Sequence, residues 1–436
     1  MYKELIDKIE DRTIVVGVIG LGYVGLPLAR EVLKNDFKVI GFDVDSKKVD
    51  MINRGKTYIK HISDEFLKEY VLEKEKFFAT TEYNKIKETD IILICVPTPL
   101  DRYKNPDLKY VIDTTQKIKE YLRKGHVIVL ESTTYPGTTE EVLLKILEES
   151  GLKEGKDFYL GYSPEREDPG NKNFNTKTIP KIVSSITKEG LMVIEKFYGS
   201  VIDNPVPVSS CKVAEASKIL ENIYRAVNIA LVNELKMIFD RMGINVWEVI
   251  DAAKTKPFGF NAFYPGPGLG GHCIPIDPFY LTYKAKEFDY NTKFIELAGE
   301  INTYQPYYVI QRVLETLDEN GKTLKDAKIL VLGVAYKKNI DDMRESPSIK
   351  IIDLLKGKGA WVDYYDPYIK EVGDLRHYPE LKLKSIKYDK DRIKEYDLVL
   401  LTTDHSDFDY KEILENANLI VDTRNAFPNH EKVYRG

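Results

Sequence analysis

The chain has 436 residues, too many for a single hydrophobic core, and its length points to two or three domains. A formal net charge of −5 gives no global attraction to nucleic acid or to an anionic membrane, so anionic small molecules would need local basic sites. Cys95, Cys211 and Cys273 lie too far apart in sequence for a disulfide framework, and no Cys/His spacing resembles a metal site, so no metal is expected and a reducing cytoplasm fits best. The first residues are charged from Lys3 onward, and the longest apolar runs, such as residues 91–96, have strand length; no membrane span is expected.

Residues 13–19 read as a buried strand that runs straight into Gly20-Leu-Gly-Tyr-Val-Gly25, followed by a helical segment from Leu26. A second strand, residues 38–42, ends at Asp43, at the distance from the glycines that a dinucleotide fingerprint requires. A lone Gly-x-Gly-x-x-Gly is common by chance, but one flanked by two strands and closed by an acid is a strong signal. The glycines admit a pyrophosphate to the helix N-terminus, where unpaired N–H groups favour an anion. Asp43 would accept from the adenosine ribose hydroxyls and repel a 2′-phosphate, which favours NAD over NADP.

Strands and helices continue to alternate. Residues 90–96 end at Pro97-Thr-Pro and residues 126–130 at Glu131-Ser-Thr-Thr, and ligands of open α/β sheets bind at such strand ends. Thr98 and Thr133 are therefore placed for cofactor contact, against the plainer reading of a turn residue or helix cap. Glu165 projects from a polar turn that follows the strand near Tyr159. From Ala214 to Met242 the pattern is helical, without proline or glycine until its end, an unusual length. Lys218 and Asn222, spaced i and i+4, share a face and can address one ligand, although such a pair is more often solvated surface. Ile229, Leu231, Val232 and Leu235 point to other faces that pack, a second subunit among the candidate partners.

The stretch Tyr264-Pro-Gly-Pro-Gly-Leu-Gly-Gly-His-Cys-Ile-Pro-Ile-Asp-Pro-Phe279 places one thiol and one carboxylate among four glycines and four prolines. Glycine permits close backbone approach and proline removes freedom, the combination a preorganised binding loop needs. A buried structural Cys is the bland reading of Cys273; this composition makes a nucleophile at least as good a reading. A helical region from Lys293 to Asp318 follows, and residues 327–336 open a second α/β domain with strand patterns at 361–366 and 398–403 and a closing strand at 419–424. The glycine fingerprint is not repeated there. Lys337, Lys338, Arg344 and Arg424 lie at strand ends or adjoining turns, where phosphate contacts compete with plain surface charge. The expected fold is α/β: two Rossmann-like doubly wound domains, residues 1–205 and 319–436, joined by a central helical domain, residues 206–318, with a long helix.

In this order the motifs resemble the UDP-glucose/GDP-mannose dehydrogenase family over nearly the whole chain. Gly20-Leu-Gly-Tyr-Val-Gly-Leu-Pro27 is similar to its cofactor loop, Ser163-Pro-Glu165 to its glutamate segment, Lys218 to Asn222 to its catalytic helix, and Gly270-Gly-His-Cys273 with Asp277 to its nucleophile loop. Lys337 through Arg344-Glu-Ser-Pro347 and Asp422-Thr-Arg424 resemble its nucleotide-sugar domain. The resemblance implies oxidation of a nucleotide-sugar 6-hydroxyl to a carboxylate with two NAD, in a homodimer built on the long helix. It assigns catalysis to Cys273, Lys218, Asn222, Asp277, Glu165 and Thr133. It assigns the cofactor to Gly20, Gly22, Tyr23, Val24, Gly25, Asp43, Lys48, Pro97, Thr98, Thr133 and Arg344. Glu165, Lys218, Asn222, Tyr264, Gly268, Gly270, Lys337 and Arg424 would contact a UDP-sugar. His272 before the Cys, where UDP-glucose enzymes usually carry Ser, is closer to the N-acetylhexosamine branch; Tyr264-Pro-Gly-Pro-Gly and Glu165-Arg-Glu-Asp-Pro-Gly-Asn171 lean towards UDP-N-acetylglucosamine, with UDP-N-acetylmannosamine and UDP-glucose as alternatives.

The chemistry agrees with a nucleophile. An aldehyde has no second hydride ready to leave until something adds to its carbonyl, and a thiol that adds gives a thiohemiacetal, then a thioester that water hydrolyses. Lys218 and Asn222 would stabilise oxyanions or hold a water, while Asp277 and Glu165 take general-base or water-orienting roles in an order left open. A two-electron hydroxyacid dehydrogenase of the 6-phosphogluconate type would leave Cys273 and the second α/β domain unemployed. A non-catalytic protein that binds NAD and nucleotide sugars would not need thiol, lysine and both carboxylates together.

Overall fold

Apolar runs buried on both faces set the architecture. The structure, a computed structural model, describes residues 1–59, 62–101, 103–166, 175–271, 273–373, 375 and 377–436. It divides into two units, residues 1–221 with 279–290 and residues 222–278 with 291–436. His272 and residues 167–171, which carry part of the branch reading, lie outside the described residues.

In the first unit the strands are β1 (Val15–Ile19), β2 (Lys38–Phe42), β3 (Phe77–Thr80), β4 (Ile91–Ile94), β5 (Val127–Leu130), β6 (Tyr159–Tyr162), β7 (Lys181–Ser185) and β8 (Pro205–Pro207). They form one sheet in the order β3-β2-β1-β4-β5-β6-β7-β8, parallel from β3 to β6 and antiparallel at the β6–β7 pair. The first six strands thus stand in the order of a dinucleotide-binding fold. Along β4, Ile91 and Leu93 enter one apolar core while Ile92 and Ile94 enter the core on the opposite face. Helices cover both faces, which is why the strand is apolar throughout instead of alternating. The order reverses between β1 and β4, leaving a crevice at their carboxyl ends.

The second unit holds β9 (Lys328–Leu332), β10 (Trp361–Tyr365), a short ribbon of β11 (Glu371–Val372) and β12 (Leu383–Lys384), then β13 (Leu398–Leu401), β14 (Ile420–Asp422) and β15 (Val433–Arg435). Its main sheet, all parallel, has the order β10-β9-β13-β14-β15, the other common doubly wound arrangement. The stretch 419–424 does not close this sheet: β15 pairs on the far side of β14. That edge strand is short and bordered by charged residues, so it carries no apolar signal. The helical segments at 214–242 and 293–318 are helices Cys211–Met242 and Phe294–Glu319. The former contributes its N-terminal part through Glu221 to the first unit and the rest to the second. Among the described residues no helix is long and apolar enough to cross a membrane.

The start of the long helix clasps the turn that follows β5. Glu215, fully buried, accepts from the Gly137 and Thr139 N–H groups at 2.6 and 2.9 Å and from the Thr139 hydroxyl at 2.8 Å. Burial pushes its carboxyl up from 4.5 to about 7 against the pull of those donors. The folded state therefore holds this proton more tightly than the unfolded chain does. The resulting stability is present at low pH and is lost as pH rises from 4.5 to about 7, a loss on the order of 3 kcal/mol. Glu215→Gln, which cannot titrate, is expected to narrow the gap between urea midpoints at pH 5 and pH 7.5. An unchanged gap would show that Glu215 is already ionised at pH 5.

Candidate active site

Three glycines of the first turn serve three different needs. Gly20 has φ +91°, and a Cβ there would meet the Cys95 carbonyl oxygen at 2.6 Å. A Cβ on Gly25 would overlap the Gly20 carbonyl oxygen, so the helix Gly25–Lys34 can start against β1 only without a side chain. Gly22 is different: nothing lies within 4 Å of a Cβ built on it. Nothing in the protein's own packing requires glycine there. Val24 is the residue before the helix and Tyr23 is exposed. Asp43 accepts from the Leu21 N–H at 2.9 Å, and the Lys48 ammonium lies 3.8 Å from its carboxylate. Across the crevice mouth, Pro97 is exposed and Thr98 half-buried, its carbonyl accepting from the Tyr280 hydroxyl at 2.9 Å. Thr133 is half-buried; its neighbour Thr134 is fully buried, with a hydroxyl that has no hydrogen-bond partner among the described residues.

Glu165 is backed by charge that sequence reading passed over. The buried Lys181 ammonium, from β7, donates to Glu131 at 2.7 Å and to the Pro164 carbonyl at 3.2 Å, and lies 3.8 Å from the Glu165 carboxylate. Tyr198 donates to the other oxygen of Glu131. Burial pulls the ammonium's pKa down, but the Glu131 and Glu165 carboxylates outweigh it and leave it raised. Arg166 forks onto Glu221 at 2.7 and 3.3 Å. Glu221 follows Lys218 by three positions on the long helix, so the segment carrying Glu165 is fastened beside the turn carrying the buried Lys218.

In the second unit, the buried Asn222 donates to the Asp277 carboxylate at 2.6 Å. The Asp277 N–H donates to the Cys273 carbonyl at 2.8 Å, so thiol and carboxylate stand one helical turn apart; Cys273 is exposed and Asp277 buried. The loop before them lies against the second sheet's connections. A Cβ on Gly266 would meet the Arg424 guanidinium at 2.7 Å, one on Gly268 the Pro347 side chain at 2.9 Å, and one on Gly270 the Tyr336 Cβ at 2.6 Å. The Gly271 N–H donates to the Arg344 carbonyl at 3.2 Å and the Gly266 N–H to Asn233 at 3.0 Å. Asn233 donates in turn to Asn302 at 2.9 Å, a buried amide pair that no sequence motif announces. Tyr264 is exposed, its hydroxyl donating to Asp251 at 2.7 Å. Arg424 donates to the Thr402 carbonyl at 2.9 Å, Arg344 forks onto Asp342, and Lys337 is half-buried in the connection after β9.

A glycine cradle at a sheet's switch point, closed by an acidic strand end, marks a dinucleotide-binding domain. Residues 14–202 match the NAD binding domain of the UDP-glucose/GDP-mannose dehydrogenase family, residues 212–304 its central domain and residues 330–429 its UDP binding domain. The chain is 37% identical over 400 residues to the UDP-N-acetyl-D-glucosamine 6-dehydrogenase of Salmonella typhi, covering 90% of each protein. It is 35% identical over 437 residues to the UDP-N-acetyl-D-mannosamine dehydrogenase of Methanococcus vannielii, covering 97% of this chain and 96% of that one. The solved UDP-D-ManNAc dehydrogenase from Pyrococcus horikoshii aligns at a TM-score of 0.86 and 31% identity, over 96% of this chain and 97% of that one. The chain belongs to the UDP-glucose/GDP-mannose dehydrogenase family. It is an NAD-dependent oxidoreductase of nucleotide sugars, as its motifs imply.

The division of labour among the glycines is testable. Gly22→Val is expected to weaken NAD binding by about ten-fold or more in calorimetry while leaving the melting temperature within a degree or two. Gly25→Ala should lower the melting temperature instead. Undiminished NAD affinity in Gly22→Val would remove the pyrophosphate from that position.

Proposed function

We propose that the protein oxidises the 6-hydroxyl of a UDP-N-acetylhexosamine to the uronic acid in two two-electron steps, with Cys273 as the covalent nucleophile. UDP-N-acetylglucosamine is the preferred substrate and UDP-N-acetylmannosamine the alternative. The observation that carries the reading is the Asn222–Asp277 hydrogen bond one helical turn from Cys273, which ties the long helix to the nucleophile loop. NAD fits the first unit because Gly22 leaves room for a pyrophosphate and Asp43 presents a carboxylate at the ribose position. When bound, it accepts one hydride in each oxidation.

The chain's residues do the remainder. In the first oxidation the alcohol loses a proton as well as the hydride, and a carboxylate or a water held by one takes it. The Cys273 thiolate then adds to the aldehyde carbon, and the oxygen that becomes an oxyanion is met by Lys218 and Asn222. Protonation of that oxygen gives a thiohemiacetal, which loses a proton and the second hydride to become a thioester. Water, oriented by Asp277 or Glu165, attacks the acyl carbon; the thiolate leaves and the acid is formed. Thr133 supports the site, while Tyr264, Gly268, Gly270, Lys337 and Arg424 contact the UDP-sugar. Tyr23, Val24, Lys48, Pro97, Thr98 and Arg344 complete the cofactor contacts.

The proposed domains are residues 1–205 for NAD, 206–318 for the nucleophile loop and dimerisation, and 319–436 for the nucleotide sugar. A homodimer is supported by exposed apolar residues on the long helix. Val213, Leu220, Tyr224, Leu231, Ile238 and Met242 recur at spacings of seven and four, which brings all six onto one face. The cytoplasm is the proposed compartment, because the mechanism needs Cys273 reduced.

The test is a panel of UDP-N-acetylglucosamine, UDP-N-acetylmannosamine and UDP-glucose, with kcat/KM and NADH released per sugar measured for each. The expected order is the order just given, with two NADH per sugar, on a species that light scattering finds dimeric. A preference for UDP-glucose would overturn the branch assignment, and a monomer would overturn the role of the helix stripe.

A further inference from the structure

The two sheets place an acid at matching positions and use it differently. Asp43 follows β2 and accepts from the Leu21 N–H in the connection after β1. Asp366 follows β10 and accepts from the Val334 and Ala335 N–H groups after β9, at 2.7 and 3.2 Å. It also accepts from the Tyr368 and Ile369 N–H groups at 2.8 and 3.0 Å, and His405 Nε2 lies 3.1 Å from its Oδ2. A carboxylate offers about four lone-pair sites. Asp366 is fully buried and spends its acceptors on the protein, so it cannot serve a ribose as Asp43 does.

His405 follows β13 and is fully buried between the rings of Tyr368 and Phe408, with centroids 5.0 and 5.4 Å away. Its Nδ1 accepts from the Asn339 N–H at 2.9 Å. A ring nitrogen that accepts carries no proton, so in neutral His405 the proton is on Nε2, donated to Asp366. One tautomer satisfies both neighbours. Asn339 has φ +61° and exchanges two further hydrogen bonds with Ser406, at 2.8 and 2.9 Å. Thr403 donates to the Ala335 carbonyl at 2.6 Å, and Lys338 reaches Asp404 at 3.4 Å. The connection that carries Lys337 is thus pinned to the connection after β13, with His405 at the centre of the pin.

We propose that His405 is a positioning residue for the diphosphate of the UDP moiety: by linking Asp366 to Asn339 it fixes the left-handed turn that aims Lys337 at the ligand. This rests on the reading of Lys337 as a phosphate contact. His405 touches no reacting atom, so its loss should appear in affinity for the UDP half and not in the chemical step.

The experiment compares His405→Phe, His405→Gln and Lys337→Ala by calorimetry with UDP and with NAD, and by steady-state kinetics. His405→Phe keeps a ring but breaks both hydrogen bonds. It is expected to raise the UDP Kd and the UDP-sugar KM by about ten-fold or more, with kcat within about two-fold and NAD affinity unchanged. His405→Gln, whose amide can accept from Asn339 and donate to Asp366, should recover most of that loss. Should His405→Phe fail to fold, His405→Asn, whose shorter amide can meet the Asn339 N–H but cannot also reach Asp366, breaks the same link with a polar side chain and carries the same expectation. An unchanged UDP Kd in His405→Phe beside a weakened one in Lys337→Ala would overturn the positioning role and spare the phosphate reading. An unchanged UDP Kd in Lys337→Ala would remove the phosphate reading, and the positioning role with it.

Discussion

The loop of residues 264–279 lies so close to the second sheet's connections that a side chain on Gly268 or Gly270 would force them apart. Those two positions face a proline ring and a tyrosine Cβ, which cannot swing aside, whereas a Cβ on Gly266 would meet only the tip of the Arg424 side chain. A main chain seated this closely has few ways to move, and the Asn233–Asn302 amide pair holds its N-terminal side. Cys273 follows this closely seated segment, and Asp277, one turn on, accepts from Asn222. The proposed reaction, which carries one carbon on one sulfur as a thiohemiacetal and then a thioester, would be sensitive to that seating, since a small misplacement of the attacking atom costs orders of magnitude in rate.

Charge burial in the first unit serves the same end. Lys181 and Glu131 are both out of water, and removing one partner of such a pair costs about 3–5 kcal/mol because the other is left uncompensated. Their mutual attraction is weak evidence for net stability, as the desolvation of both charges opposes it. Its consequence for the site is positional: the ammonium that neutralises Glu131 also stands behind Glu165.

Much of the fold was legible because its signals are local. The strand, glycine turn, helix and acid of the first unit lie within residues 13–43, and the thiol and carboxylate of the loop at 264–279 are four residues apart. The second sheet was legible in outline, but β15 was missed, since three partly exposed residues at an edge leave no apolar run. The partners that hold the site were not legible. Lys181 and Glu131 are 50 positions apart, Asn233 and Asn302 are 69 apart, and His405 and Asp366 are 39 apart. Each of these residues alone reads as an ordinary turn or surface residue, and only the folded chain pairs them. The two threonines after β5 show the same limit: the buried hydroxyl belongs to Thr134, and nothing in the local sequence separates it from Thr133.

The central claim is that Cys273 carries the sugar as an acyl group between the two oxidations. Its most direct test is a single turnover of the wild type and Cys273→Ser with a UDP-N-acetylhexosamine and excess NAD, quenched in acid, with NADH counted and the protein weighed by mass spectrometry. The wild type is predicted to release two NADH per site and to carry a transient adduct of the sugar's mass on the peptide containing Cys273. The serine variant should bind both ligands and stop short of the acid, because its hydroxyl is a far weaker nucleophile than a thiolate. Conversion to the acid at the wild-type rate by Cys273→Ser would contradict the account.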